Sequence, residues 1–270
     1  MRGMYTCGIM DVLLENGVRF DGAAGISAGA TFGCNYKSKQ PGRVLRYSLK
    51  YSGYWRYAGL RSWFVTGDLY NAKFCYHDIT EILDEFDWET YKANPMEFYV
   101  GAFDVEEGKV YYHKCIDEKD TFIWIRASAS LPLVAKVVET DGHKLLDGGI
   151  VDPVPYDFMA EQGYNRNVVI LTQPREFRKQ PDKTLPLLRT FLSRYPKVIA
   201  GVERRHDRYN QLIEHIRKKE EEGEALIICP DESLSIGRTE SDPAQLQRVY
   251  DIGREAGVKA LPLVRKFLES

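Results

Sequence analysis

The run Gly25-Ile26-Ser27-Ala28-Gly29 constrains this chain most, because it stands between a strand-like segment and a stretch rich in small residues. Strand, sharp turn bearing a serine, and helix form the arrangement of a nucleophile elbow. The turn exposes the hydroxyl to a pocket. Gly25 and Gly29, two residues either side of the serine, are expected to relieve crowding where strand and helix converge. The helix start offers free N–H groups and a partial positive charge to a developing oxyanion, and the N–H of Ala28 is the expected donor. The five-residue pattern alone also suits a structural turn; its flanks favour catalysis.

A serine hydroxyl needs a base. The ordinary hydrolase order places an acid and then a histidine downstream, and His77, His113, His143, His206 and His215 are available. His206 and His215 lie in a charge-dense helical stretch and read as solvated. Only 26 residues precede Ser27, too few for the strands that normally come before that fold's nucleophile. The other base is Asp147, in Leu145-Leu146-Asp147-Gly148-Gly149. It ends an expected strand, where α/β sheets present functional groups, and Gly148 and Gly149 leave room for close backbone approach. Asp-Gly-Gly is also ordinary turn chemistry, so this segment alone leaves both readings open.

Helical and strand patterns alternate, which predicts an α/β layer architecture. Helices are expected over 4–16 (stopped by Gly17), 28–36 and 121–130, and strands over 20–26 and 167–171. Hairpins are expected at Glu106-Glu107-Gly108 and Thr140-Asp141-Gly142. Residues 185–199 and 201–222 read as helical, 243–268 as one or two closing helices, with a strand over 225–229. With no internal repeat or linker, the chain reads as one domain: a core over 1–175, and a mainly helical part over 176–270.

The net charge of −2 gives no global pull toward nucleic acid. Five scattered cysteines without a CxxC pair argue against a disulfide framework or zinc site and favour a reducing compartment. The N-terminal stretch is no signal peptide, and no apolar run reaches the ~18 residues of a spanning helix. These features predict a soluble, cytoplasmic protein. No metal-ligand cluster or phosphate-binding loop is evident, so neither metal nor cofactor is expected; oligomeric state is not legible.

Residues 37–73 interleave cations (Lys37, Lys39, Arg43, Arg46, Lys50, Arg56, Arg61, Lys73) with Tyr47, Tyr51, Tyr54, Trp55, Tyr57, Trp63, Phe64 and Tyr70. This mix suits peripheral contact with an anionic membrane; it equally suits aromatics packed as core beneath solvated cations. The sign-alternating helix from Arg204 to Glu222 reads as a solvated, salt-bridged face without function.

Three segments in order, Gly25-Ile26-Ser27-Ala28-Gly29, Arg126-Ala127-Ser128-Ala129-Ser130-Leu131-Pro132 and Asp147-Gly148-Gly149, resemble the patatin-like phospholipases, including bacterial members. Arg2-Gly3 before a helix and Phe20-Asp21-Gly22 fit the same family. The resemblance spans roughly residues 1–175. It implies a three-layer α/β/α sandwich with a mostly parallel central sheet and a helical C-terminal extension. It also implies a Ser27–Asp147 dyad without histidine, acting on lipid acyl esters or small esters through an acyl-enzyme. Ser128 and Pro132 carry over as pocket-wall or positioning residues, or as a helix-ending turn. The family's glycine-rich oxyanion loop ends in any residue, a basic residue and glycine, which Met1, Arg2 and Gly3 match. Its three preceding glycines are absent, which suggests a longer parent protein or a catalytically weak lipid-binding protein. A serine–histidine–aspartate esterase is the remaining alternative.

Overall fold

A computed structural model describes residues 1–269. The chain opens with helix α1 (Gly3–Glu15), strand β1 (Gly22–Gly25) and helix α2 (Ala28–Lys37). Gly17 ends α1 at φ 71°, a left-handed conformation that glycine adopts without a Cβ clash. Helices α3 (Arg43–Tyr51) and α4 (Leu60–Thr66), a π-helix (Phe74–Leu83) and α5 (Trp88–Ala93) follow. Next come strands β2 (Glu97–Asp104) and β3 (Val110–Lys114), helix α6 (Glu118–Ser128), and the hairpin β4 (Val138–Thr140) and β5 (His143–Asp147). A 3₁₀ turn (Gly148–Ile150), helix α7 (Tyr156–Glu161) and strand β6 (Asn167–Ile170) lead to α8 (Leu185–Phe191), α9 (Pro196–Glu203), α10 (Arg205–Glu221), β7 (Ala225–Ile228) and α11 (Pro243–Glu269).

The architecture is α/β, with a mixed central sheet in the order β1-β2-β5-β4 and β3 on the far side of β2. Strand β1 runs parallel to β2, whereas β3 and β5 run antiparallel to it. A second, parallel pair joins β6 to β7. Alternation along β2 divides the core, as the period-2 geometry of a strand requires. Phe98, Val100 and Ala102 pack with Ala30 and Cys34 of α2 and Trp124 and Ile125 of α6. Phe103 packs on the opposite face with Leu188, Val198 and Val202 of α8 and α9. The result is helix, sheet, helix.

The register fixes the centre of the molecule. Gly25 pairs with Val100 and Asp147 pairs with Ala102, so β1 and β5 lie along the same edge of β2. One is parallel to β2 and the other antiparallel, so their carboxyl ends meet head to head beside Gly101.

The last helix closes against the first. Glycines make the crossing possible: a Cβ on Gly8 would stand 2.2 Å from the Tyr250 carbonyl oxygen, and one on Gly253 would stand 2.1 Å from that of Tyr5. Within this contact the Tyr250 hydroxyl donates to Asp11 at 2.6 Å.

One segment differs from its sequence pattern, and two decide between alternatives that the sequence leaves open. Residues 185–199 form two helices, because Pro196 starts a new one and cannot continue the old. Residues 243–269 form a single helix despite Pro262. The aromatic, cationic segment 37–73 is helical and divided. Tyr47, Tyr57 and the following Phe74 are core, while Leu60, Phe64 and Val65 of α4 are exposed.

Candidate active site

Ser27 occupies φ 55°, ψ −116°, a strained conformation for a residue with a Cβ. Its surroundings hold it there. A Cβ on Gly25 would lie 2.4 Å from backbone atoms of Gly29, so glycine is obligatory before the turn. Gly29 itself faces open space, with nothing within 4 Å of a built Cβ. The crowding that requires glycine is therefore one-sided, contrary to the symmetric expectation. Gly3 is required for packing behind the elbow, since a Cβ there would meet the Phe32 ring at 2.5 Å.

Ser128, near the end of α6, ties the elbow to the sheet. Its hydroxyl accepts the Ser27 N–H at 2.9 Å and donates to the Gly101 carbonyl at 2.6 Å. It is fully buried between the Ser27 turn and β2. Ser130 adds a second tie, its carbonyl accepting the Asp147 N–H at 2.8 Å. Pro132 stands in the turn that leads from α6 toward β4. Ala28 is the first residue of α2, so its N–H has no acceptor within the helix.

Asp147 is 2% exposed. Burial pushes its carboxyl above the usual carboxylate range. Opposing that shift are the Ser27 side chain, the Arg205 guanidinium, the Gly149 N–H and Arg238. The Gly149 N–H donates to Oδ1 at 2.8 Å. Both following glycines have steric reasons. A Cβ on Gly148 would strike the Gly101 carbonyl oxygen at 2.6 Å, and one on Gly149 would stand 3.0 Å from Asp147 Oδ1 and 3.4 Å from Arg205 Nη2. The bare Gly149 backbone thus leaves room for the approach of Arg205 to the carboxylate.

Each histidine ring contacts a carboxylate other than Asp147. His113 contacts Asp120 and stacks on Trp124. His143 contacts Asp104, His215 contacts Asp157, His206 contacts Asp207, and His77 lies between Asp78 and Glu81. Among the described residues no histidine hydrogen-bonds to Ser27, so the triad arrangement is not formed. Asp104, Glu107 and His143 bring ligand-type atoms within 4.8 Å of one another. Those oxygens have other roles: Asp104 caps the Glu106 and Glu107 amides, and Glu107 binds Lys109 and Tyr111. This grouping reads as turn chemistry.

Sequence reasoning missed three cations. Arg205 was grouped with the solvated face of its helix, yet it turns inward, its Nε buried without a hydrogen-bond partner. A signal existed: Arg205, Tyr209, Ile213 and Ile216 follow the i, i+4, i+8, i+11 stripe of one helix face. Lys179 and Arg238 come from loops, and no periodicity announces them.

The chain belongs to the patatin-like phospholipase family, whose model matches residues 1–160. A second family model, a domain of unknown function (DUF6363), matches residues 195–269. Along nearly its whole length the chain is similar to the uncharacterized protein YjjU of Escherichia coli, with 25% identity covering 99% of this chain and 76% of that protein. It is also similar to the lysophospholipases NTE1 of Kluyveromyces lactis and Saccharomyces cerevisiae, each 26% identical over 60% of this chain. The match spans only 11% and 10% of those two lysophospholipases. No helix among the described residues is long and apolar enough to cross a membrane.

Proposed function

We propose that this chain is a serine-dependent lipid acyl hydrolase that works through a Ser27–Asp147 dyad. The observation that carries the reading is the meeting of a strained, half-buried serine with a buried carboxylate at the abutting ends of β1 and β5. Burial makes Asp147 a stronger base than an ordinary aspartate, which suits proton abstraction near neutral pH. Ser27 Oγ attacks the ester carbonyl carbon while its proton passes to Asp147. The carbonyl oxygen takes up the negative charge and faces the Ala28 N–H at the start of α2. Collapse expels the alcohol, which receives the proton from Asp147 and leaves an acyl-Ser27. Water, deprotonated by the same carboxylate, then releases the acid and restores the serine.

The family and the lysophospholipase relatives support a lipid acyl ester as the substrate class. Peripheral membrane contact is part of the same reading. Leu60, Phe64 and Val65 are 71%, 79% and 67% exposed on the short α4, beside Trp63, and Arg61 stacks over Trp55. A cluster of exposed apolar side chains with aromatic neighbours suits insertion at a lipid interface. Several cations of residues 37–73 are engaged internally: Arg43 and Arg46 on Asp84, Arg56 on Asp78, and Lys37 on the carbonyls of Asn94 and Met96. The apolar tip of α4, rather than the cations, therefore leads this contact.

The test is turnover of a lysophospholipid and of a short-chain acyl ester by the wild-type chain and by Ser27→Ala and Asp147→Asn. Loss of at least a thousandfold in kcat for both variants is expected. Hydrolysis that persists in either variant removes that residue from the mechanism. A wild-type chain that binds lipid without turnover leaves a lipid-binding protein.

A further inference from the structure

Arg205 reaches the site from outside the part of the chain matched by the patatin-like model, and it is not alone. Its Nη2 lies 3.4 Å from the position a Gly149 Cβ would take, and its buried Nε has no hydrogen-bond partner. Lys179 is anchored one helical turn along: its N–H donates to Asn210 Oδ1 at 2.8 Å, Asn210 Nδ2 donates to its carbonyl at 3.1 Å, and its ammonium stands 5.1 Å above the Tyr209 ring. The Arg238 carbonyl accepts from the Tyr70 hydroxyl at 3.4 Å and from the Met1 ammonium at 3.1 Å, which brings its loop to the start of α1. Arg2 occupies the N-cap position of α1, next to Met1.

These four cations lie close enough to disfavour one another's charge. Burial, with Arg205, Arg238 and Arg2, pulls the Lys179 ammonium down to about 8. Burial and Arg238 likewise pull Arg2 down. Among the described residues none of the four makes an ion pair within 4 Å, although surface cations elsewhere in this chain find carboxylates readily. The acids that interact with Arg205 are Asp147 and Asp182. The cations of this group thus outnumber the carboxylates that interact with Arg205. Holding Arg2, Lys179 and Arg205 half-buried without a carboxylate partner is costly unless a ligand supplies the counter-charge.

We propose that Arg205, Arg238 and Lys179, together with Arg2, form an anion subsite beside the dyad that holds the phosphate monoester of an acyl ester substrate. The inference rests on the hydrolase reading and narrows its substrate class. Guanidinium pairs suit phosphate because their forked donors match its oxygens. The excess charge matches a phosphate monoester better than a zwitterionic headgroup. Adjacency to Asp147 requires the phosphate to lie within about a glycerol's length of the scissile ester.

The first arm compares kcat/KM for an acylglycerol phosphate and for the monoacylglycerol with the same acyl chain. The wild-type chain is expected to prefer the phosphate ester at least tenfold. In Arg238→Met, a change at an exposed side chain, and in Arg205→Met, that preference falls at least tenfold, mainly through KM. Equal preference in the variants, or none in the wild type, overturns the proposal. A second arm needs no turnover: calorimetry with glycerol 3-phosphate and with inorganic phosphate. Tighter binding of glycerol 3-phosphate, lost in Arg238→Met, supports a headgroup subsite. Tighter binding of inorganic phosphate, or no binding of either, overturns it. Labelling of Ser27 by a fluorophosphonate in the same samples reports the hydrolase reading separately, so failure of one is distinguishable from failure of the other.

Discussion

The hydroxyl of Ser128 accepts the backbone N–H of Ser27 at 2.9 Å, across 101 residues of chain. Because the same hydroxyl donates to Gly101 between the ends of β1 and β5, one buried side chain sets the height of the elbow above the sheet. Ser128→Ala leaves the Ser27 N–H and the Gly101 carbonyl without that partner. A buried group left unsatisfied costs about 1–3 kcal/mol. If most of this appears in the transition state, kcat drops about tenfold to a hundredfold with KM little changed. Steady-state kinetics on one acyl ester checks the split. A pure KM effect would make Ser128 a pocket-wall residue instead.

The pH profile follows from the burial of Asp147. In the proposed dyad Asp147 must be ionised to accept the Ser27 proton, so activity is expected to be lost as pH falls through its pKa. Burial raises that pKa, so the fall occurs above the usual carboxylate range of about 4. Arg205 favours the ionised form, so Arg205→Met moves the acidic limb of log kcat to higher pH, whereas a charge-neutral change far from the site leaves it in place. A limb that stays fixed in Arg205→Met would separate the guanidinium from the base.

The two elbow glycines are predicted to differ. Gly25→Ala drives a Cβ to 2.4 Å from the Gly29 backbone, and overpacking against backbone typically costs about 1–3 kcal/mol or more. Gly29→Ala meets nothing within 4 Å and gains helix propensity of about 0.5–1 kcal/mol. Thermal melts should therefore show a large drop for the first and no loss for the second. Equal destabilisation would mean that strand and helix pack differently from the description above.

The proposed membrane contact lies on α4. Burying one large apolar side chain contributes about 2 kcal/mol, so Phe64→Ser should weaken binding to phospholipid vesicles at least tenfold in co-sedimentation. Neutral and anionic vesicles should respond alike to this change, because Arg43, Arg46 and Arg56 are already paired within the protein. Unchanged binding in Phe64→Ser would move the contact elsewhere.

What was legible in the sequence was local. The elbow, α1 with Gly17, and both hairpins follow from short-range rules: strand to helix at Ser27, and turn residues at Glu106–Gly108 and Asp141–Gly142. The pairing of Ser27 with Asp147 was reached by resemblance, because their meeting depends on the register of β1 and β5 along β2, which no short window contains. Arg205 was hidden by composition. In a run of alternating charges its inward face is visible only through the apolar residues one and two turns further along. Residues 43–93 went unread as helices because aromatics that pack as core and aromatics that lie on a surface carry the same pattern; Tyr57 is buried where Phe64 is exposed.

Mass spectrometry of the chain after reaction with a fluorophosphonate, with the modified peptide sequenced, tests the Ser27–Asp147 dyad. One adduct is expected, on Ser27, formed much more slowly in Asp147→Asn and at an undiminished rate when His113 and His143 are replaced by glutamine. An adduct on another residue, or labelling of Ser27 that ignores Asp147 and fails without a histidine, would contradict it.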